Sequence, residues 1–199
     1  MLHTLDISKP TRQCVNTCII AIIFTVLLPL LQFFHDELLY HRHWIVAGEY
    51  WRIWSGSLVH TNFWHLVLNL AGLWLLAFIA PLPFSKSIQL IQIAFLTSCV
   101  GAGLWWLSPE WVWYAGFSGT LYGLFMLGGI HLLQQRDWLM AALILLGLGG
   151  KTVWDWWSGG ESASASLIEA PVIYAAHLYG MAGSLLLSIP TLLSNLSKR

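Results

Sequence analysis

Ser118 lies in Gly116-Phe117-Ser118-Gly119-Thr120-Leu121-Tyr122-Gly123, a glycine-rich stretch that opens a long apolar run. A serine hydroxyl is a weak nucleophile until a base takes its proton. The imidazole of His177, far away in sequence, is a base of that kind. His65 and Asn69 are four residues apart and share one helix face. Both side chains carry N–H donors of the sort that stabilise a tetrahedral oxyanion. Ser118 at the start of a helix adds free backbone N–H groups and the positive end of the helix dipole. Gly116 and Gly119 let the backbone beside Ser118 bend toward a substrate carbonyl. The apolar runs that hold these residues contain no Asp or Glu. The chemistry to expect is therefore a Ser-His dyad, with Tyr122, one turn past Ser118, stacking on the imidazole in place of an orienting carboxylate.

Each residue taken alone has a plainer reading. A serine in a glycine-rich membrane helix usually serves packing, and His-x-x-x-Asn serves as a helix–helix hydrogen-bond pair. His177 alone reads as a satisfied bundle histidine. His60 is five residues from His65, points to a different face and is read as structural. What raises the dyad above these readings is that three polar places, in three separate apolar runs, fall at one depth.

The elements that must position them are membrane helices. The chain has 199 residues, 57% hydrophobic and 9% charged, with no net charge and a mean hydropathy of +0.69. Soluble domains carry about 25% charged residues. The composition thus places the chain in the membrane class and offers no basic surface to nucleic acid. The expected fold is an all-α membrane protein of six spans, at about 15–34, 58–80, 88–107, 118–135, 138–156 and 171–195, forming a single domain over residues 1–199. Each approaches the ~20 residues needed to cross a bilayer. The run after Lys9 and Arg12 has no small-residue cleavage site behind it and is read as an uncleaved helix. Thirteen Trp, many near the ends of runs, suit interfacial anchors. Residues 35–57 are read as an amphipathic structure lying in the interface. The Gly/Ser-rich stretch at 158–164 is read as a mobile loop. Gly119 and Gly123 form one small-residue stripe, and Ala176, Gly180 and Ser184 another. Facing each other, they bring two backbones close. With no His-Glu-x-x-His and no Cys-x-x-Cys, neither metal nor cofactor is expected. With the N-terminus inside, six of the nine Lys and Arg residues fall on the cytoplasmic side, which favours both termini there.

In this order the motifs resemble the rhomboids, a family of intramembrane serine proteases. The matching pieces are Trp51-Arg52, His60, His65-Leu66-Val67-Leu68-Asn69, Gly116-Phe117-Ser118-Gly119 with Tyr122, and His177 with Gly180. The resemblance implies a six-helix rhomboid-like bundle with Ser118 as nucleophile and His177 as general base. It also implies His65, Asn69 and the Ser118 N–H as the oxyanion hole, and Trp51-Arg52 as part of the loop between the first two spans. Ser184, where a further glycine would pack more closely, loosens the last span's stripe. The run Glu49–Gly56 and Ala176–Gly180 are similar to the rhombosortase branch. That branch implies bacterial inner-membrane enzymes with the site toward the periplasm. Their substrates are membrane-anchored proteins with a C-terminal tail of a Gly-Gly motif, a transmembrane helix and basic residues. The residues leave open whether water or an amine resolves the acyl-enzyme, and whether the chain only binds membrane helices. Glycines in the fifth span make it the expected substrate gate.

Overall fold

The computed structural model describes residues 12–196, with side chains through residue 189. Lys9, Lys198 and Arg199, three of the charges that bear on orientation, lie outside the described residues. In chain order the elements are α1 (Arg12–Leu31), α2 (His35–Leu38), β1 (Tyr40–His41), α3 (Arg42–Val46), α4 (Arg52–Ser55), α5 (Phe63–Ile79) and α6 (Lys86–Leu107). They continue with β2 (Trp113–Tyr114), α7 (Ser118–Gln134), α8 (Trp138–Trp157), α9 (Ala163–Ile168) and α10 (Tyr174–Leu196).

Among the described residues, three helical segments are long and apolar enough to cross a membrane: residues 12–38 taken together, α6 and α8. A fourth qualifies if Arg52–Leu58 and α5, bent by 84° to each other, count as one. The chain is an integral membrane protein. Of the other long helices, α7 has only 17 residues, and both it and α10 are packed against protein. α7 is enclosed by α5, α6, α8 and α10. It faces protein along most of its length and carries Gly, Ser and Thr at its contacts. α10 packs most heavily on α7 and α6. Helices that meet helices need small and polar residues more than lipid-like ones.

The facing stripes meet at the α7–α10 crossing. A Cβ on Gly119 would stand 2.8 Å from the Ala176 carbonyl oxygen, and one on Gly123 2.7 Å from that of Gly180. Ser184 corrects the expectation of a looser contact. It is fully buried, and its hydroxyl donates to the Gly123 carbonyl across the helices at 2.5 Å. A serine is small enough for close approach and adds a bond that glycine lacks.

Two further expectations change. The second span does not start near 58. Residues 56–58 form a 3-10 turn, and α5 begins at Phe63 under an Asn62 cap. His60 therefore sits ahead of the helix rather than in it. The last span begins at Tyr174, because Pro171 keeps the chain before it extended. The stretch at 158–164 leads from α8 into α9. Gly159 and Gly160 take positive φ to end α8, and Ser162 caps α9. Its glycines and serines act as helix stop and start signals.

The segment between α1 and α5 is a string of short elements. It supplies one strand of the only strand pair among the described residues: β1 runs antiparallel to β2, which precedes α7, with Tyr40 opposite Tyr114 and His41 opposite Trp113. Arg52 holds the segment together. Buried to 6% exposure, it donates to the Asp36 and Leu39 carbonyls at 2.7 and 2.8 Å and to the Glu49 carboxylate at 2.6 Å. Trp51 is half exposed, and its indole N–H donates to the Glu37 carbonyl at 3.1 Å. Removing a buried, multiply bonded guanidinium leaves carbonyls and a carboxylate unpaired. Arg52→Ala is expected to lower stability by about 3 kcal/mol, read as a reduced Tm in detergent micelles. An unchanged Tm would show that the short elements hold without it.

Candidate active site

Ser118 owes its position to the four residues before it. The Gly116 N–H donates to the Gly56 carbonyl at 3.1 Å, tying the turn to the first loop. Gly116 has φ of +132°, and a Cβ there would lie 2.6 Å from the His65 ring. Only glycine meets both conditions. The Tyr114 hydroxyl donates to the Gly116 carbonyl at 2.6 Å. Burial pushes that phenol up to about 12, so it stays protonated and remains a donor. Phe117 is fully buried against Phe24 of α1, ring centroids 5.1 Å apart. Among the described bonds, the N–H groups of Phe117 and Ser118 have no backbone acceptor. They are the free donors of a helix N-terminus, beside the serine hydroxyl.

His177 lies in the first turn of α10. Its Nε2 is 3.0 Å from Ser118 Oγ. Tyr122 stacks on its ring, centroids 3.9 Å apart and planes 5° from parallel. No carboxylate hydrogen-bonds the other ring nitrogen, Nδ1, which is buried. The aromatic face fixes the ring plane.

α5 brings its polar residues from the other side. Asn62 accepts from the His65 backbone N–H at 2.9 Å and so starts the helix. His65 is buried with its Nδ1 3.0 Å from Thr61 Oγ1. Asn69, one turn deeper and buried, spends one amide hydrogen on the His65 carbonyl at 2.9 Å. Its second amide hydrogen is not used by that bond. His60 stands edge-to-face against His65, centroids 5.1 Å apart. Gln32, just past α1, clamps His60 by two bonds of 3.1 Å, one to its Nδ1 and one from its backbone N–H.

Ser118, His65, Thr61 and Tyr114 line one cavity of about 30 Å³, roofed by Ile168, Ala170, Pro171, Val172 and Ile173. That volume holds about one water. A wider cleft, about 480 Å³, opens between α5 and α8; Gly72, Leu75, Leu121, Tyr122, Gly147 and Leu148 are among its walls.

The structure thus brings Ser118, His177, Tyr122, His65 and Gly116 together, with Asn69 one turn below and His60 behind His65. Gly119 and Gly180 lie at the helix crossing beneath them. Trp51 and Arg52 belong to the loop that braces the turn and do not reach the cavity. Sequence reasoning passed over Tyr114, Thr61 and Gln32, whose roles depend on contacts distant in the chain. It also passed over Asp155 of α8. This carboxylate is fully buried, with both oxygens bonded by Lys151 at 2.5 and 2.6 Å. An acid and a base four residues apart inside an apolar run were a legible sign of such a pair. The pair lies within electrostatic reach of Tyr122 and His177.

The family model of the Rhomboid domain matches residues 47–194. The chain belongs to the rhomboid family. Rhomboids are intramembrane serine proteases that act on membrane-protein substrates within the bilayer. No match is found among curated proteins. The rhomboid match begins ahead of Arg52 and takes in Ser118, His65, Asn69 and His177, so the whole constellation lies within it, while α1 lies before it.

Proposed function

We propose that this rhomboid is an intramembrane serine endopeptidase that uses Ser118 as nucleophile and His177 as general base. The observation that carries the reading is the 3.0 Å contact between Ser118 Oγ and His177 Nε2 beneath a parallel Tyr122 ring. Ser118 gives its proton to Nε2 as Oγ attacks the scissile carbonyl carbon. The carbonyl oxygen becomes an oxyanion, held by the Ser118 N–H, the free Asn69 amide hydrogen and His65. His177 then passes the proton to the leaving amine, and water, deprotonated by the same nitrogen, releases the acyl group. An oxyanion donor contributes about 10²–10³ in rate and a positioned base about 10²–10⁴.

Substrate enters from lipid between α5 and α8. These helices pack on their neighbours far more than on each other, and the cleft between them reaches Tyr122. The enclosed space beside Ser118 favours small residues at the scissile bond. Glycines there also let the end of a substrate helix unwind at a cost of about 1 kcal/mol each or less. This supports the narrower reading of a rhombosortase-type enzyme that trims Gly-Gly-type C-terminal tails from membrane-anchored proteins. All six long helices then cross a bacterial inner membrane, with both termini cytoplasmic and Ser118 toward the periplasm. The distribution of Lys and Arg supports that orientation.

The test is labelling by a serine-reactive fluorophosphonate in native membranes. Wild type is expected to be labelled, and Ser118→Ala and His177→Ala to be unlabelled. Equal labelling of wild type and Ser118→Ala would overturn the assignment.

A further inference from the structure

We infer that Thr61 is a positioning residue that couples the roof of the cavity to the tautomer of His65. The inference rests on the protease reading above, in which His65 serves the oxyanion. Thr61 has a single hydroxyl hydrogen, and two atoms compete for it. The Ile168 carbonyl lies 2.7 Å from Oγ1, and His65 Nδ1 lies 3.0 Å from it. A carbonyl oxygen only accepts, so the hydroxyl donates to Ile168. Oγ1 then faces Nδ1 with a lone pair. A lone pair on Nδ1 would set the two against each other at 3.0 Å, so the ring proton sits on Nδ1 and donates to Thr61. The Thr61 N–H also points at Nδ1, from 3.4 Å, and favours a lone pair there; the hydroxyl oxygen, closer at 3.0 Å, outweighs it while Ile168 holds the hydroxyl hydrogen.

That arrangement has a consequence at the other ring nitrogen. With the proton on Nδ1, neutral His65 carries a lone pair on Nε2, the nitrogen near Gly116. A lone pair repels an oxyanion. The closed structure therefore holds His65 in the form that does not serve the reaction.

The roof has to leave before any peptide reaches Ser118, because the cavity holds about one water. Its attachment is the carbonyl end of α9. Ile168 O is held by Thr61, and Leu167 O by the Asn62 amide at 2.9 Å. When the roof lifts, the Thr61 hydroxyl loses its acceptor and turns to Nδ1, joining the Thr61 N–H already aimed there. His65 loses one proton from Nδ1 and gains one at Nε2, by exchange with water admitted to the open site. Its net charge is unchanged. Nε2–H is now a donor where the oxyanion forms. Opening the site and arming the oxyanion hole are one event, and a closed enzyme carries an unarmed hole.

Thr61→Val and Thr61→Ser separate this from a plain latch. If Thr61 only holds the roof down, valine frees the roof and speeds cleavage. If Thr61 sets the tautomer, valine leaves nothing but the weak N–H to direct it. Then kcat for a membrane-embedded peptide reporter falls about 10-fold with KM unchanged, less than the ~10²–10³ for losing an oxyanion donor outright because the N–H still directs part of the population. Serine keeps the hydroxyl and is expected to retain wild-type kcat within about twofold, showing that the site tolerates substitution. Valine cleaving as fast as wild type, or faster, would overturn the inference while leaving the protease reading in place. Absence of Ser118-dependent cleavage in wild type would instead overturn that reading. The ring ¹⁵N resonances of His65 decide the Thr61 inference without turnover. Free wild type is expected to be protonated at Nδ1, and Thr61→Val to show a mixture. Protonation at Nε2 in the free wild type would sink it.

Discussion

Replacing His177 with alanine is expected to lower kcat by at least ~10³-fold while KM moves little. Two losses combine. Nε2, 3.0 Å from the serine hydroxyl, is the proposed acceptor for its proton. Without it, Ser118 attacks as a neutral alcohol, and the leaving amine departs without a donor. On the proposed entry route the substrate's apolar helix meets the α5–α8 cleft, which His177 does not line, so ground-state binding is expected to be preserved. The residual rate reports the oxyanion donors alone, since backbone N–H groups of α7 and the α5 side chains are untouched. Tyr122→Leu gives the smaller, diagnostic effect. It keeps the base and removes the parallel ring that orients it, so kcat is expected to fall about tenfold, a fraction of the loss of the base itself. The measurement is steady-state cleavage of a reporter reconstituted with the enzyme in proteoliposomes. His177→Ala within tenfold of wild type would mean another group takes the serine proton.

How much of this was legible in the chain depended on the range of the interaction. Ser118, Tyr122 and the stripe Gly119/Gly123 are tied by helical periodicity, so their common face could be read directly. The meeting of Ser118 with His177 could be expected from small-residue stripes in two runs, because close backbone approach leaves few alternative registers. The boundary of α5 was misjudged because Leu58 and Val59 are apolar and the chain stays buried at Val59 and His60, while the Asn62 cap decides where the helix begins. Hydropathy sees burial, and burial extends past the helix end. Residues 158–164 show a different limit. Glycine and serine were read as flexible composition, but at these positions they supply positive φ and a cap. Thr61 was beyond reach because its partners are a nearby imidazole and a carbonyl of α9 more than a hundred residues on. Nothing in the types or spacing of those residues joins them. Asp155 is different. Its pairing with Lys151 was visible four residues away, but Lys151 was weighed only as a charge that sets orientation and Asp155 was passed over.

Gly180→Val is expected to abolish cleavage by moving His177 rather than by altering any reacting group. A Cβ at Gly180 would collide with the Gly119 carbonyl oxygen and crowd the backbone of Gly123. Neither obstacle is a flexible side-chain tip, so relief has to come from α10 itself moving away from α7. The displaced helix carries His177 one turn up, and a shift of ~1 Å costs about 10²-fold when a reacting pair is held by geometry alone. The same shift breaks the Ser184 bond to the Gly123 carbonyl. Overpacking and the lost bond together are expected to cost about 2–4 kcal/mol, visible as a lower Tm in micelles. Gly123→Val meets the Gly180 carbonyl from the other side and is expected to act in the same direction. Ser184→Ala separates the two contributions. It removes the hydrogen bond without adding volume, so it is expected to lower stability by about 1 kcal/mol and leave kcat near wild type. Fluorophosphonate labelling follows the geometry independently of substrate entry. Gly180→Val that still labels at the wild-type rate would mean α7 and α10 are not locked by this crossing. Loss of labelling with Ser118 unaltered, alongside normal labelling of Ser184→Ala, would place the alignment of the dyad on the backbone contact between two glycine-lined helices.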